Sequence, residues 1–254
     1  MAGVREGLRY DGGVTAPTPQ PHVQRTRDGS LTLYSARYAQ AYGSRHGALT
    51  EALEVFLKPS GVAARLAAGR ARVLEVGFGT GLNFFVTARA ALRTPGARLH
   101  YVALERDLLT AAELAALGYG ALLGEEGLVE AFLAWRSGPA SEAQPFSFAR
   151  SGAEVTLELR LGDAAERVRG LACAHHAVYQ DAFSPEVNPE LWTPAFLACL
   201  AAALVPGGTL TSYCVQGEVR RRLAALGLVP HKRPGPQGGK REVLLAYKPV
   251  HAPR

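Results

Sequence analysis

Hydrophobic and polar positions follow two regimes along the chain. Before Gly61 the pattern is irregular. A proline-rich lead, "APTPQP" (16–21), precedes "SLTLYSARYAQAYGS", which reads as a short strand and a turn. "GALTEALEVFLKPSGV" then forms an amphipathic helix closed by Pro59 and Gly61. From Arg72 strands and helices alternate. "RVLEV" is an apolar run of the kind buried on both faces, "LNFFVTARAAL" a helix, "LHYVAL" a second strand and "LLTAAELAAL" a second helix. The helix "EEGLVEAFLAW" and a polar stretch holding Pro139 and Pro145 lead to the strand "EVTLELRLGD". "HAVYQDAF" is the next strand, and "TPAFLACLAAAL" is a helix with Pro194 in its first turn. "GGTLTSYC" is a strand entered through Pro206, Gly207 and Gly208, "EVRRRLAALG" a helix ending at Gly227, and "REVLLAYKP" a last strand.

Strands that alternate with helices imply right-handed crossovers, hence an α/β fold with a doubly wound, mostly parallel sheet. With 254 residues, 48% of them hydrophobic, the chain can bury one full core. The expected organisation is an N-terminal extension over residues 1–60 packed on a core domain over 61–248, with a tail at 249–254.

Charge and cysteine content narrow the class. The formal net charge of +6 favours polyanionic partners and equally fits a basic but ordinary enzyme. Cys173, Cys199 and Cys214 lack CxxC spacing, so neither a disulfide framework nor a zinc site is expected. His175 and His176 have no carboxylate or cysteine at ligand spacing, and no metal is expected. The N-terminus lacks an apolar signal region and no run reaches membrane-spanning length, so a cytoplasmic protein is expected.

Ligands of doubly wound sheets bind beyond the carboxyl ends of the strands. The first loop there is Gly77-Phe78-Gly79-Thr80-Gly81. Glycines permit positive φ and leave no Cβ between backbone and ligand, and the helix that follows offers free N–H groups. The dinucleotide fingerprint is G-x-G-x-x-G, whereas Leu82 stands in place of its third glycine. With Glu75 just before the turn, the G-x-G-x-G spacing is similar to that of class I methyltransferases that bind S-adenosylmethionine. An acidic residue there suits the cationic methionine end of that cofactor. Glu105 ends the second strand, where a carboxylate can accept ribose hydroxyls or simply be solvated. Asp163 follows the third strand; it can accept the adenine amino group, and Asp is equally expected there as a helix N-cap.

The fourth strand delivers "DAFSPEVNPELWT" (181–193), a rigid, partly aromatic loop placed over the methyl donor. In order and spacing, "LEVGFGTGLNFF", this loop, "PGGTLTSYC", "VRRRLAALG" and "GGKREVLLA" resemble the methyltransferase half of the bifunctional enzymes that form 5-methylaminomethyl-2-thiouridine in tRNA, and their stand-alone relatives. The resemblance runs over about residues 32–247 and includes "YSARYAQAYGSRHGALTEALEVFL" near the N-terminus. It implies a class I Rossmann-like fold with a seven-stranded sheet. It also implies methylation, by S-adenosylmethionine, of the aminomethyl group on the wobble uridine, residue 34 of the tRNA anticodon stem-loop.

Family motif positions fall on Glu75, Gly77, Gly79, Gly81 and Asn83 for the methionine end, on Glu105 for ribose and on Asp163 for adenine. Phe78 and Ala164 adjoin them as further cofactor contacts. Asp181, Phe183 and Pro185 match the acceptor pocket, with Asp181 as the group that binds the amine and helps remove its proton. Phe183 and Trp192 can wall the uridine, although Trp192 at a helix start is more often core. Lys240 and Arg241, with Arg220, Arg221, Arg222, Lys232 and Arg233, supply cations for phosphate contacts.

Two departures from the family matter. No second glycine fingerprint follows, so the flavin-dependent step and FAD are not expected, and no obligate protein partner is evident. Ala182 stands where bifunctional members commonly have Gly. The rivals are a methyltransferase or aminopropyltransferase acting on a small-molecule amine, a nicotinamide-dependent oxidoreductase, and a silent RNA-binding module.

Overall fold

The computed structural model describes residues 22–138, 144–171 and 173–250. The proline-rich lead at 16–21, Pro139 and positions 251–254 of the tail lie outside the described residues.

Near the N-terminus, β1 (His22–Arg25), β2 (Leu31–Ser35) and β3 (Gln40–Ala41) make a small antiparallel sheet. Asp28, in the turn between β1 and β2, accepts from Thr50 N and Thr50 Oγ1 at 2.8 Å each, which ties this sheet to α1 (Ala48–Glu51). The helix continues as a π-helical stretch, Ala52–Leu57, in which Lys58 N bonds back to Leu53 O. Sequence periodicity gave one uniform helix here; a single π turn leaves the hydrophobic spacing almost unchanged, so the pattern does not reveal it.

The main sheet is built from β4 (Arg70–Val76), β5 (Arg98–Glu105), β6 (Phe146–Arg150), β7 (Ala153–Leu161), β8 (His175–Gln180), β9 (Leu204–Ser212), β10 (Val229–Pro234) and β11 (Glu242–Tyr247). Its order is β10-β11-β9-β8-β4-β5-β7-β6. The pairs from β7 through β9 are parallel, and β6, β11 and β10 run antiparallel to their neighbours. The doubly wound, mostly parallel architecture is the expected one, with eight strands where seven were expected. The added strand is β6, which forms a hairpin with β7 through the left-handed residues Ser151 and Gly152.

Side chains of the central strands alternate between two apolar layers, as the period of two requires. Ala71 and Val73 of β4 and Leu99, Tyr101 and Ala103 of β5 face α2 (Val62–Ala67), α3 (Leu82–Leu92) and α6 (Glu126–Ser137), the last preceded by the short helices α4 (Ala111–Ala115) and α5 (Tyr119–Leu123). Leu74, Val76, Val102 and Leu104 face α8 (Pro194–Ala203) and α9 (Gly217–Ala225). Burial on both faces accounts for the unbroken apolar run of "RVLEV". The chain leaves β4 toward β5 on one side and reaches β8 on the other. The switch point, where ligands of such sheets bind, therefore lies at the carboxyl ends of β4 and β8.

Candidate active site

A cavity of about 470 Å³ opens at that switch point, a size suited to a nucleotide-sized ligand. Val76 O accepts from Asp181 N at 3.0 Å, so the glycine turn after β4 and the loop after β8 start side by side. Gly77, Gly79 and Gly81 adopt φ of 84°, 50° and 75°, which L side chains avoid. At Gly77 the requirement is also one of space, because a Cβ there would sit 2.8 Å from the carbonyl oxygen of Asp181.

Asn83, in the first turn of α3, is 7% exposed and links two carboxylates: its Nδ2 donates to Glu75 Oε1 at 2.8 Å and to Asp181 Oδ2 at 2.7 Å. Glu75 itself is fully buried (0% exposed) and does not line the cavity, so it meets a ligand only through Asn83. Burial raises its carboxyl to about 8, against the pull of the Asn83 amide. The folded protein thus keeps this proton up to about pH 8 while the unfolded chain releases it near 4.5, and stability falls as pH rises between those values. Glu75→Gln keeps the acceptor for Asn83 and removes the titration. Its melting temperature is expected to gain on the wild type progressively from pH 5 to pH 8; parallel melting curves would show that Glu75 does not titrate there.

At the end of β5, Glu105 is fixed by three backbone donors: Gly79 N at 2.9 Å to Oε2, and Arg106 N at 2.7 Å and Asp107 N at 2.9 Å to Oε1. A carboxylate offers about four acceptor positions, so capacity remains toward the cavity that Glu105 lines. Asp163 also lines it; Oδ1 accepts from Ala165 N at 2.8 Å, capping α7 (Ala164–Arg167), and Oδ2 lies 3.6 Å from Arg106 Nη2. Ala164 lines the cavity beside it. Phe78 lines it too, but packs its ring toward Phe84 and Phe132 in the core, leaving its backbone to the ligand.

Asp181 and Phe183 line the cavity from the loop after β8. Burial, then the Glu51 and Glu75 carboxylates, hold Asp181 well above the usual carboxyl range. Phe183 stacks on Tyr38 with ring centroids 4.5 Å apart and leans on Tyr42 at 5.3 Å. Gln40 Nε2 donates to Ser184 Oγ at 2.9 Å and clips the N-terminal sheet to the loop. Trp192 is 1% exposed and donates from Nε1 to Phe183 O at 2.9 Å, so it braces the loop from within the core. Lys240 lines the cavity with Nζ 4.0 Å above the Tyr213 ring. Gly81, Pro185 and Arg241 do not line it. Of the arginine run on α9, Arg220 and Arg222 bond Val215 O and Trp192 O, and Arg222 also pairs with Glu218, which leaves Arg221 as the exposed one.

The residues the motifs did not single out come from the N-terminal segment: Tyr38, Gln40, Tyr42 and Glu51. No local pattern marks them, because their wall forms only where the N-terminal sheet meets the loop after β8. Among the described residues no group of three or more His, Cys, Asp or Glu side chains can hold a metal ion, and no helix is long and apolar enough to cross a membrane.

The chain matches the model of an S-adenosyl-L-methionine-dependent methyltransferase family over residues 127–249. It is 39% identical over 233 residues to the tRNA 5-methylaminomethyl-2-thiouridine biosynthesis bifunctional protein MnmC of Aromatoleum aromaticum, across 89% of this chain and 35% of that protein. It thus spans about a third of the length of the curated relatives it matches. Among solved structures, MNMC2 from Aquifex aeolicus superposes with a TM-score of 0.72 at 28% identity, over 92% of this chain and 72% of that one. Spermidine synthase from Thermotoga maritima shares the fold at 12% identity, with a TM-score of 0.55 over 92% of this chain and 70% of that one.

A glycine turn at the switch point of such a sheet, followed by a carboxylate closing the next strand, is the cofactor end of a class I S-adenosylmethionine-dependent methyltransferase, and the chain is an enzyme of that class. Within the class it is similar to the methyltransferase portion of the MnmC proteins.

Proposed function

We propose that this protein methylates the primary amine of a 5-aminomethyl group on the wobble uridine of tRNA, in the cytoplasm, giving the 5-methylaminomethyl derivative. The observation that carries the reading is Asp181: its carboxyl is fixed by Asn83 at the head of the cofactor turn and faces a cavity end walled by Phe183, Tyr38 and Tyr42. An aromatic wall beside a proton acceptor suits an unstacked base that carries an amine.

S-adenosylmethionine would supply an electrophilic methyl group on a sulfonium, and the backbone of Gly77 to Gly79 with Asn83, Glu105, Asp163 and Ala164, all lining the cavity, would hold it. The protein's own task is largely positional. Holding amine and methyl donor in line in a water-poor cavity contributes most of the rate. Asp181 accepts a hydrogen bond from the amine, directs its lone pair and takes its surplus proton; the raised affinity of this carboxyl for protons matches that task. Phe183 positions the base.

The small-amine rival rests on fold likeness alone. No basic surface would be needed for a polyamine, whereas Lys240, Arg241, Lys232 and Arg233 gather around β10 and the segment after it. Incubation with methyl-labelled S-adenosylmethionine separates the readings: label is expected in tRNA from cells that accumulate aminomethyl-uridine, and absence of label from that tRNA, with or without label in small amines, removes the proposal. Arg241 is exposed and outside the cavity, so Arg241→Ala is expected to weaken tRNA binding without regard to sequence and to lower the salt slope of log K by about one. An unchanged slope in filter-binding titrations would place the phosphate contacts elsewhere.

A further inference from the structure

We propose that Glu51 is a second carboxylate of the acceptor site, which with Asp181 receives the acceptor as an ammonium ion, orients it and shares the task of deprotonating it. The inference deepens the reading above and rests on it only in taking the acceptor to be an amine.

The two carboxylates come from distant parts of the chain. Glu51 ends α1, immediately before the π-helical stretch, and Asp181 follows β8; both line the same cavity. Ser44 N donates to Glu51 Oε2 at 2.8 Å and fixes the side chain. Among the described residues no donor reaches Oε1, which leaves that oxygen available to a ligand. Asp181 is held in the same way, by Asn83 on Oδ2. The widened turn that follows Glu51, closed by Lys58 N to Leu53 O, is a feature that recurs where helices serve sites.

Two like charges in one partly buried cavity are costly unless a cation or a proton joins them. The charged and titratable groups that face them are Lys240, Tyr213 and, behind Asn83, Glu75. Tyr213 commits its hydroxyl to Ala182 O at 2.7 Å, so it is not free to take a proton. Lys240 is exposed and rests on the Tyr213 ring, and it offsets the pair only in part. Burial lifts both carboxyls above their ordinary values, and Glu51 adds to the lift on Asp181. An entering ammonium takes the place of the proton shared by the pair, which leaves to solvent, so that one carboxylate is free to accept a proton from the ammonium.

The step balances without an oxidant or a metal. One N–H bond of the ammonium breaks with its electron pair left on nitrogen, and an O–H bond forms on Glu51 or Asp181. The neutral amine then has the lone pair that methyl transfer requires. A pair of carboxylates also sets specificity, because an acceptor with a hydroxyl in place of the ammonium forfeits the charge attraction.

The test is calorimetric binding of 5-(aminomethyl)uridine and 5-(hydroxymethyl)uridine to the full chain loaded with S-adenosylhomocysteine. The wild type is expected to prefer the amine by about tenfold or more. Glu51→Gln and Glu51→Ala are expected to remove most of that preference, and Glu51→Asp to keep it. S-adenosylhomocysteine affinity, unchanged within about twofold, certifies that the variants fold and that the cofactor end is intact. Equal affinity of the wild type for the two nucleosides, no measurable binding of either, or full preference in Glu51→Gln overturns the inference. The nucleoside preference is read whether or not tRNA accepts a methyl group, so failure of the proposed reaction is distinguishable from failure of the carboxylate pair.

Discussion

Asp181→Asn is expected to lower single-turnover methyl transfer by about 10²- to 10⁴-fold, the range of a lost proton acceptor, while S-adenosylmethionine still binds. The substitution is close to isosteric and its amide oxygen can still accept from Asn83, so the loop and the glycine turn stay in place. What disappears is the group that takes the proton. A second consequence has the opposite sign. Asp181 is a carboxyl raised by burial and by Glu51 and Glu75, so the folded state holds a proton that the unfolded chain gives up at lower pH. Its contribution therefore turns more destabilising as pH rises, and a neutral amide escapes that cost. The variant's melting temperature should gain on that of the wild type as pH rises above the unfolded carboxyl's 3.8, which scanning calorimetry over a series of pH values decides. Near-normal turnover would sink the assignment of Asp181.

A residue that costs stability and is placed where chemistry is needed explains which parts of the site were legible in the sequence. The glycine turn, Asn83, Glu105 and Asp163 follow successive strands, and their roles come from local geometry: a left-handed turn, a strand end, an N-cap. Local patterns encode such features, and the cavity is lined where the motifs pointed, apart from Glu75 and Gly81 beneath it and Pro185 and Arg241 outside it. Glu75 is informative. Its position in "LEVGFGTG" suggested contact with a cationic ligand end, but the strict alternation along β4 turns it into the layer of Ala71 and Val73, under α3.

The wall contributed by Tyr38, Gln40, Tyr42 and Glu51 was not legible, because it exists only once the N-terminal sheet folds back onto the loop after β8. The Gln40 to Ser184 hydrogen bond joins residues 144 positions apart, and no periodicity records such a contact. Two strands of the main sheet escaped for a different reason. β10 carries Pro230, Pro234 and two cations, which suits an edge strand and disguises it as a loop. β6 is five residues long and follows a proline-bearing polar stretch. Both lie at the sheet margins, where burial on two faces no longer imposes an apolar run.

The glycine turn yields the second large effect. Gly77→Ala is expected to lose both stability and activity, by two terms that can be separated. At φ 84° an L residue costs about 1–2 kcal/mol for the left-handed conformation. The new methyl would also stand 2.8 Å from Asp181 O and 3.2 Å from its carbonyl carbon. Neither side yields readily, because Gly77 N–H is bonded to Leu104 O at 2.9 Å and Asp181 N–H to Val76 O at 3.0 Å. Relief requires that the ends of β4 and β8 part, and the second of these carries the proton acceptor. A displacement near 1 Å costs roughly 10²-fold in rate, so the transfer step should fall by at least that much. Gly96→Ala isolates the first term: Gly96 has a similar φ, 71°, and a Cβ there meets nothing within 4 Å. With about 2–4 °C of melting temperature per kcal/mol in a chain of this size, Gly96→Ala should melt a few degrees below the wild type with full activity. Gly77→Ala should melt lower still and be nearly inactive. Were the two variants alike in both measurements, close approach of the two strand ends would not be what reserves position 77 for glycine.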